Sequence, residues 1–234
     1  MQSKQLNLLS GGAAQSVVSG LAQAFRAESG YEIKGSFSAV GEMKAKFLAG
    51  APADVLILTR AIIEDLAKTG KVLGETMTDL GRVRTGIAVR TGDPLPAITS
   101  GTALRAALLA ADGIYFPDPQ KATAGIHFAN VLDKLGIAAE VAPRLRPHPN
   151  GNTAMRELAH VSGGKPLGCT QITEIKSTAG VTLVGALPTE FELATVYTAA
   201  VCSGAAQAET ARRFVALLGA DASRALRQNA GYEF

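Results

Sequence analysis

Four short segments of this 234-residue chain set glycine, hydroxyl or amide residues at points where an apolar run gives way to a helical pattern. They are Ser10-Gly11-Gly12-Ala13, Ser38-Ala39-Val40-Gly41, Lys121-Ala122-Thr123-Ala124-Gly125 and Asn150-Gly151-Asn152-Thr153. The first backbone N–H groups of a helix have no intrahelical acceptor and carry the positive end of its dipole, so such a segment can hold an anion without metal or cofactor. Two consecutive glycines after Ser10 let the backbone approach a ligand closely. In the fourth segment, Asn152 or Thr153 is the expected N-cap of a helix carrying Met155 and Leu158. Ordinary capping accounts for any one segment taken alone. Four of them opening on one cleft would make a small-anion site, because ligands of open α/β sheets bind at the carboxyl ends of the strands.

Side chains near these segments extend the chemistry. Arg60 follows the apolar run Val55–Leu58, and Arg82 and Arg84 lie in an alternating stretch. Their planar forks match carboxylates, and the competing reading pairs them with acids such as Glu64. Candidates for moving a proton are His148, in Pro147-His148-Pro149, and Lys44 and Glu42 in the first turn after Ser38. Glu42 is also placed to complement a helix dipole. His127 and His160 read as structural. No Ser-His-acid order or nucleophile elbow is present, which argues against acyl transfer. Neither Cys169 nor Cys202 has a partner at zinc-ligand spacing. The two read as buried thiols, with a disulfide as the alternative, and no metal and no cofactor is expected.

The elements that must position these residues alternate. Leu6–Leu9 reads as a buried strand, followed by a helix with Val17, Val18, Leu21 and Phe25 on one face that stops at Gly30. Tyr31–Phe37 is a strand, a helix runs on to Gly50, Val55–Leu58 is a continuous apolar strand, and a helix with Ile62, Ile63 and Leu66 stops at Gly70. Arg82–Arg90 alternates as a long strand, and a second set follows: helix 103–111, strand 114–116, helices 123–135 and 153–161, strands 167–170 and 181–184. Residues 191–201 are strand-like, and a helix with Ala206, Phe214, Val215 and Leu218 closes the chain. Strands separated by crossover helices imply an α/β fold with largely parallel sheets. The long strands at either boundary divide the chain into lobe 1, residues 1–83 plus 196–234, and lobe 2, residues 84–195.

Composition narrows the partners. A 47% hydrophobic share suits a folded globular chain, and a net charge of +3 suits a small acidic ligand. Scattered Lys and Arg with only 5% aromatics argue against nucleic acid. No apolar run approaches the ~20 residues of a membrane span, so no membrane insertion is expected. Met1-Gln2-Ser3-Lys4-Gln5 leads straight into the first strand without the pattern of a signal peptide. The expectation is a cytoplasmic protein, or a periplasmic one if an export signal precedes this sequence in its precursor.

The run Ala49-Gly50-Ala51-Pro52-Ala53-Asp54 after Ser36-Phe37, Asp118-Pro119 with Ala124-Gly125-Ile126 and Lys134-Leu135-Gly136, and Pro166-Leu167-Gly168, in that order, resemble the periplasmic molybdate-binding proteins. These are solute receptors of ABC importers. The resemblance covers nearly the whole chain. It implies a two-lobed type II periplasmic-binding-protein fold, each lobe a mixed, mostly parallel sheet flanked by helices, joined by two crossover strands. An oxyanion would lie between the lobes, held by serine hydroxyls, backbone N–H groups and a tyrosine. This chain departs at the side chains: Ala13 stands where the family has a serine, and Gln171, beside Thr170, where it has the tyrosine. A bacterial aconitate isomerase is similar to the same family, and the carboxylate-type side chains resemble that branch. Two functions therefore stay open. One is isomerisation of a tricarboxylate such as cis- or trans-aconitate, with His148, Lys44 or Glu42 as base. The other is a non-enzymatic receptor that passes molybdate or another small anion to an ABC permease.

Overall fold

The computed structural model describes residues 4–234, so Met1-Gln2-Ser3, which entered the reading of the N-terminus, lie outside it. The chain alternates strand and helix from the start. β1 (Lys4–Gly11) runs through a 3-10 turn into α1 (Gln15–Ser29), β2 (Tyr31–Ser38) precedes α2 (Val40–Leu48), and β3 (Val55–Thr59) precedes α3 (Arg60–Lys68). Then come β4 (Thr78–Arg90), α4 (Gly101–Ala110), β5 (Ile114–Pro117), α5 (Thr123–Lys134) and α6 (Ala138–Val141). β6 (Leu145–His148), α7 (Gly151–His160), β7 (Leu167–Gln171), α8 (Ile172–Ser177) and β8 (Val181–Ala186) follow, and β9 (Ala194–Val201), α9 (Ala208–Gly219) and α10 (Arg224–Ala230) complete the chain.

Two compact units result, one of residues up to Val83 with Thr195–Phe234, the other Arg84–Ala194. The first has a mixed sheet in which β1 pairs in parallel with β2 and β3, and β9 runs antiparallel to β3. Val55–Leu58 are each 0% exposed, which is why this strand is apolar throughout rather than alternating. Phe25 of α1 and Phe214 of α9 pack with ring centroids 4.8 Å apart.

The second unit sets β5 parallel to β6 and β7, while β4 runs antiparallel to β7 and β8. One face buries Phe116, Phe128, Leu104, Leu108 and Val131, and another cluster joins Ala88, Met155, Leu158 and Ile175. The architecture is thus α/β, with mixed sheets flanked by helices. Among the described residues no helix is long and apolar enough to cross a membrane.

Several boundaries differ from the sequence reading; β4, for instance, starts at Thr78 rather than Arg82. The strand expected over 191–201 starts at Ala194, because Thr189–Phe191 form a 3-10 turn after Pro188. The closing helix is two helices, α9 and α10, and Ala206 lies outside both. Arg227 of α10, 3% exposed, donates to the carbonyls of Gly219 and Ala220 at the end of α9 and of Leu80. The helix expected from Thr153 begins at Gly151, since extended Asn150 is the N-cap and its Oδ1 accepts from Thr153 N at 2.9 Å. Asn152 and Thr153 are therefore first-turn residues rather than caps.

Candidate functional site

In the first unit the parallel strands β1, β2 and β3 end on one edge, where Gly11 stands opposite Ser38 and Ser10 opposite Ile57. Ser10, Gly11, Gly12, Ala13, Ser38, Ala39 and Val40 are all buried at this edge, and Gly41 and Lys44 are half-buried on α2. A Cβ at Gly11 would come 2.8 Å from Val40 Cγ1 and 3.1 Å from the Tyr197 ring, so glycine is required for the loops to close up. Tyr197, 3% exposed on β9, is a site neighbour that the sequence did not disclose. Two expected hydroxyl donors spend their hydrogens within the unit. Ser10 Oγ donates to the Gly11 carbonyl at 2.8 Å, and Ser38 Oγ donates to Glu42 Oε2 at 2.5 Å. Glu42 is also paired with Lys46 at 2.8 Å. What this edge offers an anion is chiefly the backbone N–H groups that open α1 and α2.

The second unit gathers a corresponding edge from β5, β6 and β7. Ala122 caps α5, whose first residues are Thr123 and Ala124. A Cβ at Gly125 would overlap the carbonyls of Pro117 and Asp118, so α5 starts hard against the end of β5. Asn150 opens α7, and Thr170 and Gln171 close β7, with Gln171 opposite Thr85 on β4. One member of this edge was missed in the sequence: Glu174, 6% exposed, at the third position of α8. Its Oε2 accepts from Thr170 Oγ1 at 2.5 Å, and the backbone N–H of Gln171 also donates to its carboxyl, as in a capping box. Burial pushes this carboxyl up to about 7, partly offset by those two hydrogen bonds.

Other expected residues are placed elsewhere. Arg60 lies on the surface, donating to Glu64 Oε1 at 3.0 Å and Asp79 Oδ2 at 2.7 Å, and these acids raise its pKa. The pairing reading holds for Arg60. Because exposed pairs contribute little, Arg60→Ala should leave the melting temperature nearly unchanged and ligand affinity within about twofold by titration calorimetry. Arg82 approaches Glu233 at 3.9 Å, and Arg84 approaches Glu192 at 3.7 Å. His148 closes β6, but its ring stacks on Tyr115 at 5.8 Å and 10°, and burial lowers its pKa. Its Nε2 is buried with no hydrogen-bond partner among the described residues. His127 is held by the Phe191 carbonyl at 2.7 Å. Cys169 and Cys202 are free and buried, and burial pushes both thiols well up, Cys202 to about 12. Among the described residues no group of three or more His, Cys, Asp or Glu is placed to hold a metal ion. A pocket of about 270 Å³ at the start of β7 is walled mainly by apolar residues such as Pro94, Leu95, Pro96 and Leu167, with Asp93 and Lys165 also in its lining, and it lies at the opposite end of β7 from Thr170 and Gln171.

Residues 6–233 match the profile of the bacterial extracellular solute-binding proteins, and the chain belongs to that family. It is 28% identical over 182 residues to an aconitate isomerase of a Pseudomonas species, a match covering 75% of this chain and 65% of that protein. It is 25% identical over 186 residues to the molybdate-binding protein ModA of Escherichia coli K12, covering 79% of this chain and 72% of ModA. Among solved structures, the periplasmic molybdate-binding protein of Azotobacter vinelandii superposes with a TM-score of 0.80 at 19% identity, covering 98% of this chain and 99% of that one. A sulfate-binding protein of Mycobacterium tuberculosis gives 0.74 at 19% identity, covering 98% and 86%. These likenesses establish the periplasmic-binding-protein fold.

Proposed function

We propose that this protein binds a small polycarboxylate at a strand edge where helices open and transposes the carbon–carbon double bond of that ligand by allylic proton transfer, as between cis- and trans-aconitate. The observation that carries the reading is the spread of the donors. In the second unit alone, Thr123–Ala124, Asn150–Thr153 and Thr170–Gln171 come from three separate junctions. Donors spread over three junctions can each meet a carboxylate of a ligand whose carboxylates are separated by carbon. Gln171 sets a carboxamide, with donor and acceptor atoms, where the family has a phenol. The relation to an aconitate isomerase supports the same substrate class.

The chemistry asked of the chain is a proton shift without net change of formula. A base takes a proton from the methylene carbon, the electron pair delocalises over the allylic system into a carboxylate, and a proton returns to the former vinylic carbon. Within the second unit, the first N–H groups of α5 at Thr123 and Ala124 would stabilise the charge as it spreads. Of the three candidate bases, Glu42 is held by Ser38 and Lys46, and His148 lies on Tyr115. Lys44 is half-buried on α2, and the choice among the three falls to deuterium incorporation by the variants Glu42→Gln, Lys44→Met and His148→Gln.

Incubated with cis-aconitate in deuterated water, the protein should yield trans-aconitate carrying deuterium, read by proton NMR. Neither product nor deuterium uptake would remove the isomerase. Aconitate at 100 times its dissociation constant should add about 2.7 kcal/mol of stability. Stabilisation by molybdate but not by aconitate would favour the second reading, supported by the family itself and by ModA: a receptor that hands a small anion to an ABC permease.

A further inference from the structure

We infer that Glu174 is a positioning residue that takes up a proton when the anion binds, so that the Thr170 hydroxyl turns its hydrogen from Glu174 to the ligand. The inference rests on the anion-binding reading above and applies whether or not the anion is then isomerised.

The two units carry the same local device. In each, the residue before a helix N-cap bears a hydroxyl and the third helical residue is a glutamate: Ser38 with Glu42, and Thr170 with Glu174. In each, the hydroxyl donates to Glu Oε2 at 2.5 Å. Their surroundings differ. The Glu42 side chain is 35% exposed and has Lys46 at 2.8 Å, so its charge is balanced. Glu174 is buried, and no ion pair joins it among the described residues. The elements packed on α8 include α7, β7 and β8, whose ionisable side chains are Arg156, Glu157 and His160 on α7 and Cys169 on β7, with Lys176 on α8 itself, and β4, whose Gly86 lies against Ile172 and which carries Asp79, Arg82, Arg84 and Arg90. None of these figures among the influences on Glu174, which are burial, Thr170 and the Gln171 N–H.

The position of the carboxyl makes its charge matter. Gly151 is the first residue of α7, and a Cβ there would overlap both Glu174 Oε2 and Thr170 Oγ1. The carboxyl therefore lies against the turn whose N–H groups would receive an anion. An ionised Glu174 repels that anion and holds the Thr170 hydrogen. A protonated Glu174 does neither: its own O–H donates to Thr170 Oγ, and the threonine hydrogen is released for the ligand. The buried hydroxyls of Thr85 and Thr173, each 1% exposed, have no hydrogen-bond partner among the described residues. They mark the same edge as one that keeps donors for a group the chain does not supply. Since burial has already raised this carboxyl to about 7, the proton is within reach at neutral pH. Linkage is reciprocal: an anion that favours the protonated form binds better where that form is populated.

The test is calorimetric titration of trans-aconitate, with molybdate as a second probe, in HEPES and in Tris at pH 5.5, 7 and 8.5. Uptake approaching one proton per ligand is expected at pH 8.5, falling towards zero at pH 5.5, with the dissociation constant rising up to about tenfold per pH unit above 7. Glu174→Gln should abolish both effects and keep tight binding at high pH. Glu42→Gln should retain the proton uptake. Binding by the unaltered protein without proton uptake at pH 8.5, or uptake that survives Glu174→Gln, overturns the inference while leaving the anion reading intact. Failure of both probes to bind at every pH overturns the anion reading and this inference with it.

Discussion

At pH 8.5 Glu174→Gln is expected to be more stable than the unaltered chain by about 3 kcal/mol, and at pH 4 the two should be nearly equal. The folded carboxyl titrates at about 7 against an ordinary 4.5, because burial penalises its charged form. Between those pH values the folded chain holds a proton that the unfolded chain has lost. The stability due to the raised pKa is complete below about 4.5 and drains away as the pH climbs to about 7. Each pH unit of that interval is worth about 1.4 kcal/mol, which sets the expected difference. Glutamine is neutral throughout and can still donate to Thr170 Oγ. Urea unfolding of both proteins at pH 4, 6 and 8.5 measures the gap. Parallel profiles would mean that water reaches Glu174 and that its charge costs nothing.

The path from sequence to site was legible where local chemistry governs and closed where packing does. Gly30, Gly50 and Gly70 were readable as helix stops, and their φ values of +76°, +90° and +67° show why: only glycine enters that left-handed region without cost. The four helix-opening segments were readable for the same reason, being strand, turn and cap in sequence. β6 and α8, of four and six residues, were not, because they are too short to display a period and Pro147 interrupts the first. Arg60 shows the boundary clearly. Its partner Glu64 is one helical turn away and was named from the sequence, whereas Asp79 reaches it only through the placement of β4. Tyr197 meets Gly11 because β9 lies beside β3, a pairing of distant segments with no local signal. Glu174 is the most instructive omission. Thr170 and Glu174 have the spacing of Ser38 and Glu42, so the motif could have been noticed twice. Its difference in charge state could not, since it depends on which of the two glutamates α7 and β8 cover.

Two glycine substitutions at the second unit's edge should separate fold from site. Gly125→Ala is expected to cost about 3 kcal/mol, because the new Cβ meets the carbonyls of Pro117 and Asp118, which belong to the backbone joining β5 to α5 and cannot rotate away. Relief requires α5 itself to move, and α5 carries Phe128, Val131 and Leu132 into the core. Gly151→Ala meets side-chain atoms instead, the Glu174 carboxyl, which ends a flexible side chain, and the Thr170 hydroxyl. Alanine is also a better helix former than glycine in the first turn of α7. Stability should therefore fall less than in Gly125→Ala. Anion affinity should weaken by about tenfold, and proton uptake should vanish, because the Thr170–Glu174 pair is pushed off the α7 N-terminus. Urea unfolding and calorimetry on the two variants would reveal the contrast. If Gly151→Ala instead unfolded the chain while Gly125→Ala bound normally, the close approach at Gly151 would be part of the scaffold, and the anion would have to be received at another junction.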